Sequence, residues 1–218
     1  MAQIFPRGAN TLARVTIAAA ALTLCGLGWG SYTVWWSPYM TMVGVPLTQP
    51  VPFSHEHHVR GLGIDCRYCH TGVETSHFAG VPPTDTCMTC HSQIWREAPI
   101  LEPIRASLRE DKPIQWTRVN DLPDFVFFNH SVHVQHGIGC SSCHGEVDRM
   151  PITWRAQSLY MKWCLDCHRQ PEKSLRPESE VYNTEWEPPA TQQAQGALLL
   201  HHYGINKEQL LDCSNCHR

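Results

Sequence analysis

Ten of the chain's 11 cysteines fall into five C-x-x-C pairs, and each pair is followed at once by histidine. The five runs are Cys66-Arg67-Tyr68-Cys69-His70, Cys87-Met88-Thr89-Cys90-His91, Cys140-Ser141-Ser142-Cys143-His144, Cys164-Leu165-Asp166-Cys167-His168 and Cys213-Ser214-Asn215-Cys216-His217. Two thiols at this spacing reach the two vinyl groups of one porphyrin, and the turn that follows brings the next histidine under the iron. A four-cysteine zinc site consumes such pairs two at a time, and five is odd. Redox C-x-x-C pairs rarely come five to a chain, and none of these sits in a βαβ pattern. With 14 histidines in 218 residues, histidine after all five pairs by chance has odds of about one in a million. The pattern predicts five covalently attached c-type haems, with the ten paired cysteines as attachment points and His70, His91, His144, His168 and His217 as proximal ligands. The remaining Cys25 lies in an apolar run and reads as an inert, membrane-buried thiol.

That run, Val15–Trp36, holds 22 residues without a charge. As a helix it spans about 33 Å, enough to cross a bilayer core. Arg7 and Arg14 precede it, no acidic residue occurs before Glu56, and Tyr32, Trp35, Trp36 and Tyr39 cluster at its far end. The positive-inside rule and the aromatic belt place residues 1–14 in the cytoplasm and everything after the helix outside it, on the periplasmic side of the inner membrane. We read the segment as an uncleaved signal-anchor rather than a cleaved signal peptide. A net charge of −3 and a pI near 6.5 give no basic face for nucleic acid.

Residues 37–52 are proline-rich and read as a tether. About 166 residues then remain for five haems, too few for an ordinary aliphatic core. The expected fold is mainly α and irregular: one N-terminal transmembrane helix, then short helices and loops wrapped round five porphyrins. An internal repeat organises this part. Phe53-Ser54-His55-Glu56-His57-His58-Val59 precedes Gly63-Ile64-Asp65-Cys66, and Phe128-Asn129-His130-Ser131-Val132-His133-Val134 precedes Gly137-Ile138-Gly139-Cys140. Two two-haem modules follow, at 51–95 and 126–170, joined by a segment at 96–125. An extended arm at 171–200, of a kind that commonly crosses a neighbouring subunit, leads to the fifth haem at 201–218. Leu101, Ile104 and Leu108 stand at helical spacing within Gln93–Arg109 and predict a helix covering the haem core.

Nine histidines lie outside the motifs, more than five further ligands require. Residues i and i+3 project from one helix face about 60° apart. His55 and His58, and again His130 and His133, can therefore serve two haems flanking one helix. These four are the expected distal ligands. The fifth site has several candidates: Met150 is the expected distal ligand, with Met161, His136, His201 and His202 as alternatives.

The F-x-H-x-x-H pairing resembles that of the class III multihaem cytochromes c. The resemblance implies His55 opposite His70, His58 opposite His91, His130 opposite His144 and His133 opposite His168. The strings FSHEHHVRGLGIDCRYCH, FNHSVHV, CHGEVDRMP and MKWCLDCHR resemble the pentahaem subunit of bacterial alternative complex III over essentially the whole chain. That implies an electron-transfer subunit of a quinol:electron-acceptor oxidoreductase. Its implied partners are integral membrane quinol-oxidising subunits, an iron–sulfur subunit, and a mono-haem cytochrome c or terminal oxidase. A membrane-anchored multihaem quinol dehydrogenase feeding a periplasmic reductase is the alternative.

Overall fold

The computed structural model describes residues 4–217. Residues up to Met42 and residues from Val43 onward form two separate compact units. The first is dominated by α1, Ala9–Trp35, 27 residues with no buried side chain. At 1.5 Å per residue it is about 40 Å long, more than a bilayer core requires. It starts before Val15 and takes in Arg14. Leu22, Leu24, Leu27 and Trp29 are exposed along it, and an apolar surface of this extent suits lipid rather than water. Thr16, Thr23 and Thr33 donate back to carbonyls within the helix, so these three hydroxyls need no solvent partner. A single-pass membrane anchor follows from this helix. One further turn, α2 at Pro38–Thr41, ends at Met42.

The second unit has no sheet among the described residues, only isolated bridges such as Val43 with Arg155 and Ile138 with Leu175. Its helices are short: α3 Cys66–Cys69, α4 Thr84–His91, α5 Glu102–Glu110, α6 His130–Gln135, α7 Cys140–His144, α8 Met161–Arg169 and α9 Gln192–His202. Four of them, α3, α4, α7 and α8, are the C-x-x-C-H motifs themselves or end in them. Among the described residues the buried hydrophobic side chains are only Val51, Val73, Leu101, Ile104, Met150, Leu175 and Val181.

The two repeats differ by one residue between their histidines and the G-I-x-C turn, and the backbone absorbs it locally. In the second copy Ile138 N–H bonds to His133 C=O across an α-helical end. In the first copy Ile64 N–H bonds to His58 C=O, one residue further on, and Glu56–Gly61 winds as a π-helix. An inserted residue widens a turn without displacing what lies on either side. Gly63 and Gly137 then turn with φ of +69° and +72°, a conformation glycine adopts without a Cβ penalty.

The second half of the proline-rich segment lies on the soluble unit rather than hanging free of it. Gln49 exchanges two hydrogen bonds with the Thr117 main chain, and Thr117 Oγ1 donates to Thr48 C=O. The connecting helix is shorter than its periodicity predicts. Pro99 and Pro103 place its start at α5, where Leu101 and Ile104 pack with Val51 against Cys87 and Met88 while Leu108 is exposed.

Residues 171–200 do not form an extended arm. Leu175 and Val181 are among the most buried side chains, and α9 packs on the turn Pro171–Lys173. The polar sequence there hides a few deep anchors, which a periodicity argument overlooks. Gly196 makes that packing possible, since a Cβ would collide with the Glu172 carbonyl oxygen and stand 2.7 Å from its carbon. Gly196→Ala is expected to cost about 3 kcal/mol, because backbone would have to move. The haem-loaded protein should then melt roughly 5–10 °C lower by differential scanning calorimetry.

Candidate haem sites

Every motif histidine is oriented through Nδ1. His70 donates to Gly80 C=O at 2.6 Å, His91 to Ile94 C=O at 3.1 Å, His168 to Leu210 C=O at 3.0 Å and His217 to Phe125 C=O at 3.3 Å. A carbonyl can only accept, so Nδ1 carries the proton and Nε2 presents a lone pair. His144 Nδ1 lies 3.0 Å from the Asn120 amide, whose Oδ1 is buried without another partner. With Oδ1 facing the ring, Asn120 accepts the same Nδ1–H.

Three of the four candidate distal histidines follow the same rule, and the fourth, His55, meets a hydroxyl. His58 donates to Ser54 C=O at 2.8 Å, His130 to His77 C=O at 3.0 Å and His133 to Asn129 C=O at 2.7 Å, while His55 Nδ1 sits 3.0 Å from Thr153 Oγ1. Burial, then the neighbouring His70, holds His55 down at about 4. Burial, then His130, does the same to His144. Burial also lowers His58, His130 and His133, against the opposing pull of their main-chain hydrogen bonds. Neutral rings with an outward Nε2 are what iron ligation needs. Asn120 and Thr153 carry no sequence signal for this role, because they approach from 24 and 98 residues away.

The rings stand in four facing pairs. Centroids are 6.5 Å apart for His55 and His70, 6.2 Å for His58 and His91, 6.4 Å for His130 and His144, and 6.2 Å for His133 and His168. Two metal–nitrogen bonds of about 2 Å, plus roughly 1.1 Å from each nitrogen to its ring centre, give about 6.2 Å. The donor pairs therefore fit a six-coordinate iron between them. The ring planes are near-parallel in the His55–His70 and His130–His144 pairs, at 8° and 6°, and crossed at 64° in the His58–His91 pair. The repeat phenylalanines set the distal rings. Phe53 stacks on His58 and meets His55 edge-on, and Phe128 does the same for His133 and His130.

His217 is placed differently. Phe125 lies tilted at 5.9 Å from its ring, and Cys216 C=O accepts from Phe127 N–H. Met150 is 2 % exposed, its carbonyl accepts from Glu56 N–H, and its methyl end approaches Gly145. Those neighbours belong to the first and third sites. His136 Nδ1 donates to Val132 C=O and its ring meets Tyr203, whereas Met161 is largely exposed.

The attachment thiols also lie near one another. Burial is the main cause of the upward shift of Cys69, Cys140, Cys143 and Cys164, and the charge of a thiol in an adjacent motif adds to it. That neighbour is Cys87 for Cys69, Cys66 for Cys140, Cys167 for Cys143 and Cys216 for Cys164. Tyr68 and Thr89 join the first two motif loops by a 2.9 Å hydrogen bond.

Residues 126–218, which contain the last three motifs, match the family of cytochrome c7 and related cytochromes c. The chain is 35% identical over 155 residues to the menaquinone reductase multihaem cytochrome c subunit of Nitratidesulfovibrio vulgaris (strain Hildenborough). The match covers 62% of this chain and 73% of that protein. The chain belongs to the multihaem cytochromes c. Covalently bound c-type haem and electron transfer follow from that membership.

Proposed function

We propose that this multihaem cytochrome is a non-catalytic electron-relay subunit with five haems, one at each motif. The observation that carries the reading is that four motif histidines each face a second histidine ring at 6.2–6.5 Å, a separation that suits an iron between them. When bound, the haems supply reversible one-electron oxidation and reduction. The chain's part would be to hold four of the haems between imidazole pairs, His55 with His70, His58 with His91, His130 with His144 and His133 with His168, so that those four would offer substrate no position to enter. Arg7 and Arg14 before α1 support a haem unit on the periplasmic side.

The quoted motif strings support a place in alternative complex III. There the cytochrome would sit between membrane quinol-oxidising subunits, an iron–sulfur subunit, and a mono-haem cytochrome c or terminal oxidase. The second reading is a membrane quinol dehydrogenase feeding a periplasmic reductase. It is favoured by one observation: the similar protein is named as part of a menaquinone reductase. Purification in mild detergent, with mass spectrometry of the accompanying subunits and a pyridine haemochrome count, decides between them. Five haems with quinol-oxidising membrane subunits and an iron–sulfur protein support the first, and a periplasmic reductase as partner supports the second. Fewer haems than motifs, or full-rate quinol oxidation by the isolated chain, would refute the relay reading.

Met150 tests the last site. Its neighbours at Glu56 and Gly145 support packing in place of ligation. Met150→Leu is then expected to leave the haem spectrum and redox titration unchanged, at a stability cost under about 1.5 kcal/mol. Loss of one low-spin component would restore Met150 as the sixth ligand of the haem on His217.

A further inference from the structure

The two repeats place cations differently beside their haem-attachment loops. In the first copy Asp65 precedes Cys66, and Arg67 pairs with it through two side-chain hydrogen bonds of 2.9 Å, so the cation is neutralised on the spot. In the second copy Gly139 stands where Asp65 does, and Ser141 stands where Arg67 does. The space is filled from elsewhere in the chain. A Cβ on Gly139 would run into the guanidinium of Arg176.

Arg176 is 3 % exposed. It donates to Glu180 C=O at 3.2 Å, Asn183 C=O at 3.0 Å, Ser141 Oγ at 3.2 Å and Ser142 Oγ at 3.1 Å, and it stacks on Trp186 at 4.3 Å. Its Nε has no partner, and no carboxylate lies within ion-pair distance among the described residues. The Glu180 carboxylate takes the Asn183 amide instead, at 2.7 Å. Guanidinium stays charged even when buried, and a buried charge normally has an opposite charge beside it. Here the groups in direct contact are dipoles, the Glu180 carboxylate acts only from beyond ion-pair distance, and the guanidinium lies directly against the loop that carries Cys140 and Cys143.

We propose that Arg176 is an electrostatic positioning residue that raises the reduction potential of the haem on Cys140 and Cys143 above that of its repeat counterpart on Cys66 and Cys69. Reduction adds one electron to that site, and a cation without a directly paired carboxylate stabilises the reduced form. In the first repeat the Asp65–Arg67 pair contributes almost no net charge. The proposal rests on the five-haem reading. It gives two haems of near-identical ligand geometry different potentials.

The test is an optical redox titration of the full chain in detergent, beside a Cys140→Ala/Cys143→Ala variant that identifies the component in question. Arg176→Met is expected to lower that component's reduced-to-oxidised ratio at fixed potential on the order of tenfold, ~59 mV for a one-electron couple. Ser142→Asp places a carboxylate beside the cation and should shift the same component downward. The fourth motif already carries Asp166 at that position, so the loop tolerates the change. Arg176→Lys should keep most of the wild-type potential. Arg176→Met with all haems present and an unshifted titration would overturn the proposal, as would Arg176→Lys shifting as far as Arg176→Met. Should Arg176→Met lose the haem, an unshifted Ser142→Asp overturns the proposal and a lowered component sustains it. An identical haem count in the Cys140→Ala/Cys143→Ala chain and the wild type would mean that the five-haem reading itself has failed.

Discussion

Made without haem attachment, the soluble unit is expected to show no cooperative unfolding transition. The seven buried hydrophobic side chains are scattered, and only Val51, Leu101 and Ile104 form a cluster. Each fully buried side chain of this kind contributes about 1.5–3 kcal/mol, against a backbone ordering cost of about 1–2 kcal/mol for every residue. On the proposed reading porphyrin would fill the interior, and it would also cross-link. If the facing rings ligate as proposed, haem would tie His58 to His91 and His133 to His168, segments far apart in the chain. Ties of this kind shrink the unfolded ensemble and make ligation free energy into folding free energy. The measurement is thermal circular dichroism of the chain with all ten motif cysteines changed to alanine, beside the haem-loaded protein. A sharp transition in the haem-free chain would show that the polypeptide packs on its own.

Much of this was open to reading in the sequence because haem attachment imposes a local rule. Both thiols and the proximal histidine must fall within five residues, so the motifs stand out against any background. The F-x-H-x-x-H repeat is nearly as legible, since one short helix must present two imidazoles from one face. Which ring faces which is another matter. Partners such as His133 and His168 lie 35 residues apart, and spacing alone leaves them open; the pairing was implied by resemblance, and the structure brings the same four pairs of rings together.

Other features leave little trace in the sequence. The extra residue of the first repeat appears as a change of gap, but its absorption into a π-helix depends on hydrogen bonds at both ends. Residues 171–200 look like solvated chain because their anchors, Leu175, Arg176 and Val181, have no period. The unpaired guanidinium is visible only once Gly139 and Arg176, 37 residues apart, are seen to share one space. Met150 can be read either way. A methionine six residues after a motif histidine suggests a ligand, and its deep burial beside Gly145 supports packing.

Removing Cys140 and Cys143 together is expected to abolish electron flow through the complex while leaving the complex assembled. If the sites follow the order second, first, third, fourth, fifth, the third is the only link between the two pairs that flank it. Losing an end site shortens the series; losing the third divides it. The gap left would be the length of a porphyrin, and electron transfer falls exponentially with distance. Assembly should persist, because α7 stays bonded to the rest of the unit by Cys140 N–H to Val181 C=O and by the Ser141 and Ser142 contacts with Arg176. Neither set of contacts depends on a thiol side chain. The measurement is quinol-dependent reduction of the acceptor in the purified complex of the Cys140→Ala/Cys143→Ala variant, with subunit composition and haem count taken on the same sample. Four haems per chain, intact subunits and background activity are the expected result. Near-normal turnover in a complex that has lost that haem would mean that electrons bypass the third site, and the linear order would be wrong.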